Sequence, residues 1–182
     1  MSTIDQYTKA IAECRDIFKK KTIDYGTSWR VYRTISIVDQ IYIKAKRIRT
    51  IQEKQEQKIG DSFASEFKGI LNYAVIGLIQ LDLKEGEAEE LPVNKVLELY
   101  DAKMAKAQLL MLDKNHDYGE AWREMSQESF VDLILAKLQR IRQILLNDGK
   151  TLVSEGIDAN YYDIINYAVF GLILIGEGVH QG

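Results

Sequence analysis

Apolar residues recur along this chain at helical rather than alternating spacing, in six successive stretches. Ile4, Tyr7, Ile11, Cys14 and Phe18 stand at i, i+3, i+7, i+10 and i+14, one stripe of a helix that should run from about Ile4 to Lys20. A second stripe holds Ile37, Ile41, Ile48 and Ile51. A third segment, about Ser62–Leu83, is apolar nearly all round, as a helix buried on every side would be. The same order then returns as about Asn94–Leu112, a stripe of Phe130, Ile134, Ile141 and Ile144, and about Asp158–Ile175. A single proline and few turn clusters leave these segments uninterrupted, which predicts an all-α protein.

The recurrence is a true internal repeat. Residues 24–51 match 117–144 at 14 of 28 positions, and 72–79 match 166–173 at 7 of 8. Shared helix propensity does not produce that degree of identity. The signature of the repeat is Asp24-Tyr25-Gly26-Thr27-Ser28-Trp29-Arg30, which returns as Asp117-Tyr118-Gly119-Glu120-Ala121-Trp122-Arg123. Each reads as a turn carrying two aromatics, the glycine ending the preceding helix. Ser36-x-x-Asp39 and Ser129-x-x-Asp132 resemble capping boxes and would start the second helix of each copy. The acidic stretch Lys84–Pro92 reads as a solvated linker, giving a first copy at 1–83, a linker at 84–92 and a second copy at 93–182, with 176–182 as a fraying tail. Two three-helix copies in one chain imply an internally duplicated helical bundle packed as a pseudo-dimer around a shared core.

Composition narrows the functional classes. A net charge of −3 gives no global reason to bind a nucleic acid polymer, so a small molecule or a protein is the expected partner, and a further homo-oligomer is compatible with the chain. One cysteine, Cys14, excludes an internal disulfide and a Cys-rich zinc site. With no basic-then-apolar leader in the first residues, the expected location is the cytoplasm. The longest apolar stretches, Ile70–Leu83 and Ile164–Ile175, are shorter than the roughly 18 residues of a membrane span. There is no glycine-rich phosphate loop, nucleophilic triad or His-x-x-x-His pair.

Several residues invite a chemical reading. Lys44 and Lys137 interrupt the apolar stripe at the same place in each copy. An ammonium there must snorkel, meet an acid on the third helix, or meet an anionic ligand. Arg47 and Arg140, one turn on, carry the fork suited to phosphate or carboxylate. Tyr25 with Trp29 and Tyr118 with Trp122 either stack on a base or plug the bundle end, the plug being preferred for the tryptophans. Glu155, Asp158 and Asp163 offer oxygens for Mg²⁺ in the second copy, where the aligned first-copy residues are Asp61, Ala64 and Gly69. Asp158 also reads as a helix N-cap, and His116 and His180 receive no role.

The pattern Lys-x-x-Asp-Tyr-Gly-x-x-Trp, then Lys-x-x-Arg-Ile, then Asn-Tyr-Ala resembles the bacterial and phage family called nucleotide modification associated domain 1. Lys21, Asp24, Tyr25, Gly26, Trp29, Lys44, Arg47, Asn72 and Tyr73 carry it in the first copy, and Lys114, Asp117, Tyr118, Gly119, Trp122, Lys137, Arg140, Asn166 and Tyr167 in the second. The family's usual acid three residues before Asn-Tyr is present as Asp163 and absent at Gly69. A looser similarity, through Glu53-x-x-Glu56, is to the all-α nucleoside triphosphate pyrophosphatases, which hold Mg²⁺ between helices. The resemblance implies a nucleotide or similar phosphorylated ligand, with Asn72 and Asn166 joining the residues above at the binding site. Whether turnover follows is left open, Mg²⁺-assisted hydrolysis of a phosphoanhydride being the chemistry to test. The divergent acids predict one active and one supporting half. The competing reading is a non-catalytic helical assembly module in which every repeated residue serves packing.

Overall fold

Ser2 opens the first helix with a full capping box, its hydroxyl accepting from the Asp5 N–H while Asp5 reaches back to the Ser2 N–H. In the computed structural model that helix, α1, runs Thr3–Tyr25, and it is followed by a short 3₁₀ turn at Ser28–Val31, α2 at Thr34–Lys54 and α3 at Phe63–Asp82. The second copy repeats the order as α4 at Val93–Tyr118, a 3₁₀ turn at Ala121–Glu124, α5 at Gln127–Leu146 and α6 at Ile157–Gly176. The structure describes residues 1–83, 86–152 and 154–182; Lys84 and Glu85 of the expected linker lie outside the described residues, as does Val153. No strand occurs among the described residues, and no described helix is long and apolar enough to cross a membrane.

The helices form two layers. In one, α2, α3, α6 and α5 make a closed square, α3 packing on α6 and α2 on α5. In the other, α1 and α4 lie across the α3–α6 pair and touch each other. Each of these outer helices packs on the other copy's third helix more than on its own. The core is therefore shared, and the chain is an internally duplicated all-α bundle whose halves pack as a pseudo-dimer.

Reciprocal contacts mark the pseudo-twofold relation. The Tyr7 hydroxyl of α1 donates to Asn166 Oδ1 at 2.7 Å, and the equivalent Tyr100 hydroxyl of α4 donates to Asn72 Oδ1 at 2.8 Å. The same two amides donate through Nδ2 to the α1 carbonyl of Cys14 and the α4 carbonyl of Ala107. Between α3 and α6, the Tyr161 ring lies over Gly77 and the Phe67 ring over Gly171, each glycine leaving room that a Cβ would fill. The α2–α5 contact carries Arg142 to Asp39 at 2.9 Å and Arg49 to Asp132 at 3.9 Å.

Four local expectations are corrected. The Asp-Tyr-Gly segments are not free turns: α1 and α4 continue through Tyr25 and Tyr118 and stop at the positive-φ glycines Gly26 and Gly119. Asp39 and Asp132 do not cap, because α2 begins two residues earlier, at Thr34, and α5 at Gln127 behind the Ser126 cap; both acids instead serve the ion pairs across the pseudo-dimer. The described part of the linker is exposed yet stapled, Glu90 accepting from the Thr27 N–H and Thr27 Oγ1 accepting from the Leu91 N–H. The C-terminal tail docks rather than frays. Gln181 O accepts from the buried Gln127 amide, His180 packs on Phe130, and Glu177 pairs with Arg123.

Candidate functional site

Lys44 stands on the inner side of α2, where the apolar stripe would otherwise be continuous, and its stem lies directly over Gly69 of α3. A Cβ at Gly69 would come within 2.8 Å of Lys44 Cε, so the lysine stem occupies the space where a larger residue's side chain would begin. Its ammonium reaches Glu66 Oε2 at 3.9 Å, and Arg47 reaches the other Glu66 oxygen at 3.4 Å. Glu66 is thus the acid on the third helix that the partly buried lysine calls for.

Beside this group a cavity of about 390 Å³ opens between α1, the 3₁₀ turn, α2 and α3. Its lining includes the charged residues Lys21, Lys44, Asp61, Glu66 and Lys68 and the aromatic residues Trp29, Tyr32, Tyr73 and, at the rim, Tyr25. Trp29 is 8% exposed, whereas Tyr25 is 73% exposed and stands free at the rim. The turn that carries Trp29 is held by Gln80, whose amide nitrogen lies within 3.2 Å of the Trp29, Arg30 and Tyr32 carbonyls. Burial raises the Tyr73 hydroxyl, with a smaller contribution from Tyr32, so it remains a donor at neutral pH. Lys68 pairs with Glu13 at 3.3 Å; Lys21 makes no ion pair among the described residues.

The second copy builds the same walls around a different centre. Met111, Lys114, Asn115, Tyr118, Gly119, Trp122, Asn166 and Tyr167 line an equivalent cavity of only about 140 Å³. Larger side chains at two of the positions take up room. Phe170 replaces Ile76 and stacks on Trp122 at 4.2 Å, and Asp163 replaces Gly69. The Asp163 carboxylate accepts from Lys114 at 2.7 Å through Oδ1 and lies 2.8 Å from Lys137 through Oδ2. Burial pushes the Asp163 carboxyl up, but the two lysine hydrogen bonds and charges outweigh it and hold it below the usual carboxylate value. Lys114 is opposed by burial and raised on balance by the same partner.

The remaining sequence candidates separate by role. Asn72 and Asn166 line the cavities, yet their amides are engaged by Tyr100 with Cys14 and by Tyr7 with Ala107. Arg47 is turned to the α2–α3 loop, donating to the Ile59 and Asp61 carbonyls at 3.0 Å, and it does not line the cavity. Arg140 is exposed beside Lys150 in an open groove at the α5–α6 loop, away from Trp122. Tyr118 is as exposed as Tyr25, and Trp122 is as buried as Trp29.

The Mg²⁺ set is not assembled. Asp163 has both oxygens on lysines, Glu155 and Asp158 are exposed at the start of α6, and among the described residues no group of three such side chains could hold a metal. Asp158 lies in the first turn behind the Gly156 cap and does not cap the helix itself. The residues present do not fit the ion, which needs several converging oxygens.

Lys21 carries the family pattern without standing among the sequence's binding candidates; α1 extends through Tyr25 and places Lys21 one turn before it on the same face. Glu66 is also absent from those candidates, its equivalent Asn160 giving no repeat to follow.

Comparison with family models matches residues 21–81 and 114–175 to nucleotide modification associated domain 1. Comparisons with curated proteins and with solved structures give no match. The two matched segments begin at the equivalent lysines Lys21 and Lys114, end within α3 and α6, and cover more than half of the sequence, so the chain belongs to the nucleotide modification associated domain 1 family, in two tandem copies.

Proposed function

We propose that the first copy binds a phosphorylated small molecule of the nucleotide class, its anionic group between Lys21 and Lys44 and its base toward Tyr25 and Tyr32. One observation carries this reading: the equivalent lysines of the second copy share a carboxylate, Asp163, whereas the first copy has Gly69 at that place and a cavity of about 390 Å³ beside it. Lys44 with its acid no closer than 3.9 Å, and Lys21 with no ion pair among the described residues, favour an anion from solution. The aromatic residues of the lining supply ring faces of the kind on which a base stacks. The reading is one of binding; no hydrolytic step is assigned to the chain.

The assembly-module reading draws on a different observation, that Asn72, Asn166, Asp39 and Asp132 are all engaged in contacts between the copies. A thermal-shift screen of nucleoside mono-, di- and triphosphates, with and without Mg²⁺, separates the two. A ligand at a hundred times its dissociation constant adds about 2.7 kcal/mol to stability. The binding reading expects a shift that disappears in Lys21→Ala and persists in Lys114→Ala. A folded protein that shifts with none of these compounds would leave the assembly module as the better account.

A further inference from the structure

The two cavities differ in one feature that has the chemistry of a bound ligand. In the second copy the Asp163 carboxylate bridges Lys114 and Lys137 through separate oxygens, at 2.7 and 2.8 Å. A phosphate bridging two ammonium groups makes the same two-point contact. In the first copy the acid stands one helical turn earlier, at Glu66, facing Lys44 and Arg47 and not Lys21. The equivalent of Glu66 in α6 is Asn160, whose amide donates to the Gly156 carbonyl. The position of the acid on the third helix therefore decides whether one carboxylate bridges both lysines or reaches only the one on the second helix. Lys, Tyr, Gly, Trp, Asn and Tyr stand at equivalent places in the two walls, while Met125 replaces Tyr32 and Tyr162 replaces Lys68. The stacked Phe170 leaves the second cavity room for an anion but not for a base beside it.

We infer that the second copy contains a latent phosphate site, closed by the carboxylate of its own Asp163, so that each chain presents one open site, in its first copy. The inference rests on the reading of the first-copy cavity proposed above. Exchange of the acid between positions transfers the open state: Asn160→Glu with Asp163→Gly gives α6 the first-copy arrangement, and Gly69→Asp adds to α3 the acid that bridges the lysines in the second copy. The aspartate at 69 would meet only the far end of the Lys44 side chain, which can move aside.

The chain has two tryptophans, and one stands in the wall of each cavity. Their indole N–H resonances, assigned with Trp29→Phe and Trp122→Phe, report the two sites separately during a titration with inorganic phosphate. In the wild-type protein the Trp29 resonance should move in a saturable way and Trp122 should stay in place. In the Asn160→Glu/Asp163→Gly variant both should move, and in Gly69→Asp neither should. A Trp122 resonance that stays fixed in a folded double variant while Trp29 responds overturns the latent site and leaves the first-copy reading intact. Movement of both resonances in the wild-type protein overturns it too, because the second site would then be open already. A Trp29 resonance that never moves overturns both readings. Should the double variant fail to fold, a Trp29 response that survives Gly69→Asp still overturns the inference.

Discussion

Tyr161 shows how far a single hydroxyl departs from its surroundings. The ring is fully buried over Gly77, and its Oη has no hydrogen-bond partner among the described residues. Burial pushes the phenol well above its ordinary range, so it never ionises to escape the penalty. Its first-copy equivalent is Phe67, which fits the same packing without the oxygen. Tyr161→Phe should therefore stabilise the protein by about 1 kcal/mol, the order of the cost of an unpaired buried donor, as read from urea denaturation. Asp163 gives the opposite case. Its folded pKa lies below the 3.8 of the free carboxyl, so its ionised form stabilises the fold above that value, and the contribution is lost as pH falls through the folded pKa. Asp163→Asn should cost about 2 kcal/mol near neutral pH, less than a fully buried pair because Lys114 is half exposed, and the gap to wild type should close in acid. A gap that is constant across that range would show that the charge is not what matters. The sequence made the buried lysines legible, since a charge in an apolar stripe is conspicuous. Which acid answers each was not legible, because Glu66 and Asp163 occupy non-equivalent positions.

At the level of helices, the glycines of α3 and α6 were readable as close-packing residues, and the two are not equally demanding. A Cβ at Gly77 would lie 2.5 Å from the Tyr161 ring, whereas one at Gly171 would lie 3.1 Å from the Phe67 ring. Rings locked in a core cannot turn aside as a lysine end can, so overpacking dominates the gain in helix propensity from alanine. Gly77→Ala should lower stability by about 2 kcal/mol and Gly171→Ala by distinctly less, measured by chemical denaturation of both variants. Equal losses would mean that the helices adjust as rigid units. The helix boundaries were less readable than the helices. Ser36-x-x-Asp39 has the letters of a capping box, but Arg33 and Thr34 already carry the chain into the helix, and the acid finds its partner 103 residues away in Arg142. A local pattern does not reveal that a tertiary partner competes for the same carboxylate.

The duplication determines how the whole molecule holds together. Each reciprocal contact joins a residue of one copy to the equivalent partner in the other: Tyr7 to Asn166 and Tyr100 to Asn72, Phe67 to Gly171 and Tyr161 to Gly77, Asp39 to Arg142 and Asp132 to Arg49. Neither copy alone satisfies its own set. A first copy on its own would expose the α3 face that packs on α6, and it would leave the Tyr7 hydroxyl and the Asn72 carbonyl without their partners. Yet that copy carries both members of every pair, since Tyr7 and Asn72, Phe67 and Gly77, and Asp39 and Arg49 all lie within residues 1–83. Two such chains can therefore rebuild the core around a true twofold axis. A fragment ending after α3 should sediment as a helical homodimer whose melting temperature rises with protein concentration, as expected when folding is linked to association. Asn72→Ala should weaken that dimer through both of its copies at once, about twice the penalty of the same change in the full chain, where one of the two bonds runs through Asn166. A stably folded monomeric fragment would contradict this account, because it would require α1 and α3 of one copy to close a core that in the intact chain is completed by α4 and α6.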